Sequence, residues 1–227
     1  MPAESAPKAV SASRLAELLR HQLPAADTIS AEAFELVERV RELMDAVVLT
    51  DVEPQVRAAA AAQIADITQH LRAQQREHHL FMVRHADGRI ESLTQAGSGR
   101  LNPQSPPLEW IHRPTEPPPG TAPTPVEVTA RCTFGVRHGG SPDRVHGSVL
   151  AGVLDEVTGI AIRAAGAGGM TVALNVSLKG AVPLGASADV AARYTGGEGR
   201  KSYATGEVTV DGKVAATASV IYVAERS

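Results

Sequence analysis

Residues 143–165 constrain the fold more than any other stretch. Asp143-Arg144-Val145-His146-Gly147-Ser148 begins polar, directly after Pro142, and gives way to an apolar run that continues to Ala165. Within that run the only charges are Asp155, Glu156 and Arg163. A helix that is apolar on nearly every side is a buried helix. The run approaches the ~20 residues of a membrane span, but two adjacent acids at its middle argue against one. A carboxylate in a buried helix must be paired or used. Asp155 is therefore either a structural acid, capping a neighbour or pairing with Arg163, or a general base. Glu156 projects about 100° away around the helix and is expected to be the structural acid of the two.

The start of this helix carries a second signal. His146-Gly147-Ser148 stands where the first backbone N–H groups have no intrahelical partner. Gly147 lacks a Cβ, so a ligand can approach the backbone, and the helix dipole adds partial positive charge. Together these suit an oxyanion hole for an acyl carbonyl, with Gly147 and Ser148 as N–H donors. Nine residues separate His146 from Asp155, which is roughly 13 Å along a helix axis. A reacting group must lie within about 3 Å of both donors and base. One helix cannot arrange that; two such helices, antiparallel across a two-fold axis, can.

The rest of the chain divides readily. Residues 1–12 are expected to be a disordered tail and 13–79 a helical extension. Ser13 can cap a first helix through His21. Ser30 can cap a second, with Phe34, Val37, Val40, Met44 and Val47 on one face. Pro54 suits the first turn of a third, lined by Val56, Ala60, Ile64, Ile67 and Leu71. These stripes are expected to bury against the main domain or a partner subunit. Residues 80–125 form a leader: a short strand at 80–83, a turn at Asp87-Gly88, and then nine of the chain's 15 prolines between 103 and 125. Such a segment excludes a regular helix or a central strand. Trp110, the only tryptophan, is expected to anchor it or to line a pocket.

In 126–227 the reading is clearest. Val126, Val128, Ala130, Cys132, Phe134 and Val136 alternate with polar or small residues, as in a half-buried strand. After the helix, which Gly166 and its neighbours end, four more alternating runs follow at 171–179, 186–195, 201–210 and 213–223. Asp211-Gly212 is a hairpin signal. One strand, one buried helix and four strands describe an α+β domain, an antiparallel sheet with its helix on one face.

The ordered series Val145-His146-Gly147-Ser148, Leu154-Asp155-Glu156, Thr171-Val172-Ala173-Leu174-Asn175-Val176, Val182-Pro183-Leu184-Gly185 and Glu198-Gly199-Arg200-Lys201 resembles the hotdog-fold acyl-CoA thioesterases of the PaaI-like group, whose pattern begins V-H-G-G…[LA]-[DE]. The likeness spans roughly residues 80–224. It implies a hotdog fold, a curved antiparallel sheet around a long buried helix, here with a helical N-terminal extension. It implies hydrolysis of an acyl-CoA thioester in a homodimer or dimer of dimers, with the site between subunits. Asp155 would be general base or nucleophile, Thr171 would hold the water, and His146 would contact the thioester or orient the helix start. Arg200 and Lys201 would meet the phosphates of CoA. Ser148 stands where the family has its second glycine, so the oxyanion turn is expected to be tight or altered. The alternative is a non-catalytic hotdog protein that binds acyl-CoA or another small ligand. The hydratase pattern D-x-N-P-[LI]-H-x-D is not met at Asn102-Pro103-Gln104, and the chain has no G-x-S-x-G.

Composition narrows the partners. A net charge of −3 and a pI near 6.2 leave no basic footprint for nucleic acid, and no membrane partner is expected. Cys132 is the only cysteine, on the inward side of a strand, which fits a reducing cytoplasm. The N-terminus has no apolar stretch behind a basic start, so no signal peptide is expected. His78, His79 and His85 lack the further ligands that a metal needs at familiar spacing. No metal and no cofactor beyond the CoA of the substrate are expected.

Overall fold

The computed structural model describes residues 22–118 and 120–224. The expected tail at 1–12 and the helix at 13–21 lie outside the described residues. Two helices open the described chain, α1 (Ala31–Leu49) and α2 (Pro54–Arg72). Pro54 sits in the first turn of α2, where its missing N–H removes no helix bond. A two-stranded antiparallel hairpin follows, β1 (Met82–Arg84) with β2 (Ile90–Ser92). Gly88, at φ 84°, makes the turn between them.

The main sheet has six strands: β3 (Leu108–His112), β4 (Glu127–Thr133), β5 (Met170–Leu178), β6 (Ser187–Glu198), β7 (Lys201–Val210) and β8 (Lys213–Val223). Their order is β3-β4-β6-β7-β8-β5, and every pair is antiparallel. The hairpin between β7 and β8 turns on Asp211 and Gly212, both at positive φ, as the sequence predicts. Between β4 and β5 the chain crosses the sheet as the long helix α3 (Gly147–Ala164).

Burial of α3 follows from what lies beneath it. Eleven of its 18 residues are buried. The sheet meets them with small residues, Ala188, Ala192, Ala204, Ala216 and Ala218 among them. At Gly206 a Cβ would stand 3.1 Å from both Leu154 and Thr158, so this glycine lets the helix lie close to β7. Leu154 and Ile162 are fully buried, and each such side chain contributes about 1.5–3 kcal/mol. A chain with 3% aromatic residues can pack this way because small sheet residues bring the helix down to them.

Two features differ from the sequence reading. The proline-rich leader supplies a sixth strand, β3, in the proline-free window between Pro107 and Pro114. It lies at the sheet edge, where only one side of the backbone must pair. Trp110 on β3 packs partly buried against the core, with the Arg113 guanidinium 4.9 Å from its ring centre, so it anchors the leader.

The second difference concerns the extension. α1 reaches the domain through Val37 and Arg41, both buried. Arg41 donates to the carbonyls of Asn102 (3.3 Å) and Ser105 (3.2 Å), and Asp45 pairs with Arg137. α2 has no buried residue. Val56, Ile67 and Leu71 are 53%, 55% and 51% exposed. Its apolar stripe is therefore not buried against the main domain, contrary to one half of the expectation, because no element of the described chain passes over it.

Candidate active site

The site begins at the first turn of α3. His146 is its N-cap residue, and its Nδ1 accepts the Ser148 N–H at 3.1 Å while standing 2.6 Å from the Ser148 hydroxyl. Val149 N–H donates to the His146 carbonyl at 3.0 Å. Of the first turn, the Gly147 N–H is left without an acceptor among the described residues. Gly147 is also a point of close approach, since a Cβ there would lie 2.7 Å from the Leu178 side chain on β5.

Ser148 lies within the helix and is not among the positive-φ residues. The departure from the family glycine brings no backbone strain at this position. What it changes is polar: the Ser148 N–H is held by His146 and is not free in this chain as an oxyanion donor. That corrects the expectation that both Gly147 and Ser148 offer open N–H groups.

Asp155 stands two turns further along α3, half-buried. Its Oδ1 accepts the Thr171 hydroxyl, from the start of β5, at 2.8 Å. Arg163 does not pair with it; the Arg163 guanidinium lies 3.3 Å from Glu116. Glu156 takes the structural role expected of it. It is 8% exposed and accepts from Gln95 Nε2 and Ser98 Oγ, each at 2.7 Å.

Tyr222 was not singled out by sequence reasoning. It faces inward on β8, directly across from Thr171 in the strand register. Its hydroxyl donates to the Asp155 carbonyl at 3.2 Å. Burial raises its pKa from the ordinary tyrosine value, so it acts as a neutral donor. Room for this contact comes from Gly159, where a Cβ would stand 2.4 Å from the Tyr222 oxygen. The available signal was a glycine inside a buried helix, unfavourable there by ~1 kcal/mol against alanine, together with a tyrosine at an inward strand position.

A cavity of about 500 Å³ opens beside the acids, between α3, α1 and the loop before β3. Asp155, Glu156, Gly152 and Val149 line it from α3; Met44, Ala96 and Pro106 face them. His138 also borders it, with its pKa pushed down to about 4 by burial. Arg200 and Lys201 lie elsewhere, at the turn between β6 and β7. They border a cleft with Ala167 and Gly168, just past the C-terminal end of α3. Within one chain they are thus at the opposite end of α3 from His146, and Arg200 Nη1 donates to the Ala224 carbonyl at 3.0 Å.

No family model matches the sequence, and no curated protein matches it. Solved structures do. A thioesterase superfamily protein superposes with a TM-score of 0.70 at 23% identity, over 88% of this chain and 97% of that one. The chain shares that protein's fold, the hotdog fold. Residues 126–227 are fewer than half of the chain, so the 88% overlap takes in much of the hotdog's upstream extension as well. Shorter overlaps occur with zebra fish thioesterase superfamily member 2 (TM-score 0.44, 21% identity, 51% of this chain and 80% of that one). Another is a hypothetical thioesterase from Streptococcus pneumoniae with coenzyme A (0.45, 15%, 53% and 91%). No helix among the described residues is long and apolar enough to cross a membrane.

Proposed function

We propose that this hotdog protein hydrolyses an acyl-CoA thioester to the free acid and CoA, as its PaaI-like sequence pattern implies. The observation that carries this reading is the 2.8 Å contact between Thr171 Oγ and Asp155 Oδ1 on the central helix of a hotdog fold. Asp155 acts as general base on a water held beside Thr171, or attacks the thioester carbonyl directly. The water route leaves a tetrahedral oxyanion, which collapses with loss of the CoA thiolate and its protonation.

The oxyanion donor in this reading is the Gly147 N–H of a second subunit, because Asp155 is roughly 13 Å from its own helix start. β5 supports a homodimer or a dimer of dimers. It is an edge strand, and Val172 and Leu178 on it are 61% and 59% exposed. Such an edge invites a second chain. Arg200 and Lys201 are proposed to meet the phosphates of CoA, and the cytoplasm is the proposed location.

Asp155→Asn keeps shape and removes charge. It should lower kcat by at least ~100-fold with the fold retained; near-normal turnover would remove Asp155 from this role. Chains carrying Asp155→Asn, mixed with chains altered at Gly147, should regain activity if sites are shared between subunits. A non-catalytic acyl-CoA-binding reading draws on one observation, the engagement of the Ser148 N–H by His146. Absence of thiol release by the unaltered protein, over short, medium, long and aromatic acyl-CoAs, would favour it.

A further inference from the structure

The cavity beside Asp155 has a wall that belongs to the N-terminal extension. Met44 comes from α1, and Ala96, Gly97 and Pro106 come from the segment that follows the small hairpin. That wall is tied down on both sides. Gln95 and Ser98 bond to the buried Glu156. Gly97 lies so close to α3 that a Cβ would stand 2.6 Å from a Glu156 carboxylate oxygen. At the other side Arg41 holds the Asn102 and Ser105 carbonyls, and Asp45 pairs with Arg137. The opposing wall is α3 itself, with Val149, Gly152 and Val153 between the helix start and Asp155.

Gly152 is the informative position. A Cβ built there meets no heavy atom within 4 Å. Neither close packing nor a positive φ demands this glycine, yet glycine inside a helix is unfavourable by ~1 kcal/mol against alanine. Gly152 is exposed and lines the cavity, so its missing side chain leaves the cavity's opening clear one turn before Asp155.

Resting on the thioesterase reading, we infer that this cavity is the acyl-binding site, that the N-terminal extension forms its outer wall, and that Gly152 sets the size of acyl group admitted. The occupant is an uncharged acyl group larger than acetyl. A volume of about 500 Å³ lies in the range of small-molecule pockets, and an acetyl group would leave most of it unfilled. Met44, Pro106, Val149 and Val153 give its lining an apolar share, beside polar residues that include Gln104 and Arg137. Asp155 is part of the same lining, so the thioester carbonyl can meet its carboxylate while the acyl group lies in the cavity.

The test compares the unaltered protein with Gly152→Leu, which fills the cavity from α3, and Met44→Trp, which fills it from the extension. Rates with acetyl-, hexanoyl- and decanoyl-CoA give a selectivity. The hexanoyl-to-acetyl ratio of kcat/KM should fall at least ~10-fold in both variants, the scale on which a pocket discriminates a few methylenes. The thermal midpoint of Gly152→Leu should not fall, since leucine is the better helix former. Calorimetry in an Asp155→Asn background reads binding without turnover. There hexanoyl-CoA should bind more tightly than CoA, and Gly152→Leu should abolish the difference. Equal binding of hexanoyl-CoA and CoA, or a chain-length preference unmoved by either variant, overturns the inference. A preference abolished by Gly152→Leu in a protein that hydrolyses nothing supports the acyl site and defeats the catalytic reading alone.

Discussion

α2 and α3 have nearly the same length, 19 and 18 residues, and both carry apolar residues at helical spacing. α3 buries eleven residues and α2 none. The difference lies in how each is tied to the sheet. β4 and β5 flank α3 in the chain and occupy well-separated places in the sheet order, so the helix must cross the face on its way between them. α2 is joined to the body through α1 at one end and the β1–β2 hairpin at the other, and neither connection crosses the sheet. Periodicity reports that a helix has an apolar face; connectivity decides what that face meets.

The widest test of this contrast is Leu154→Ala at the centre of α3. It should cost about 2–5 kcal/mol, the range for a large-to-small change in a closed core, read from denaturant midpoints. A loss below ~1 kcal/mol would mean that α3 is less tightly held than its burial implies. Next in size is Glu156→Ala, which removes the acceptor for Gln95 and Ser98. It should cost about 1–3 kcal/mol and raise proteolytic cleavage in the loop before β3. An unchanged cleavage pattern would show that the extension is held by α1 alone.

Tyr222→Phe is a finer probe of the same helix. Losing the hydroxyl that reaches the Asp155 carbonyl should cost about 0.5–1.5 kcal/mol. If Tyr222 also positions Thr171, kcat should fall more than KM changes. At the small end is Ile67→Ala on α2. With more than half of the side chain exposed, the change should stay within ~0.5 kcal/mol in a monomer. A loss above ~1 kcal/mol that depends on protein concentration would show that α2 is covered by a second chain.

Much of this molecule was legible without coordinates. The alternation from Val126 to Phe134, the hairpin at Asp211-Gly212 and the charge-poor run through α3 each follow from local rules, period two for a strand, φ > 0 in a tight turn, and an all-round apolar helix. Asp155 and the helix start at His146 stand out because a carboxylate or an open helix end within an apolar run has no local explanation, whereas Thr171, an ordinary strand residue by itself, was marked only by the resemblance to the thioesterase pattern. The edge strand around Trp110 was hidden by its prolines, and its pairing with β4 is a non-local choice.

By itself, then, the sequence determined the α+β class, the buried helix and the two acids upon it, since these depend on side-chain period and on the penalty for burying charge. Only the tertiary structure decided that Gln95 and Ser98 are the residues that clamp Glu156. It also decided that His146 claims the Ser148 N–H, that Tyr222 fits over Gly159, and that the extension walls the cavity beside Asp155. Those are contacts between segments far apart in the chain, set by strand order and by how closely a helix can approach a sheet of alanines and one glycine, and no local pattern encodes them.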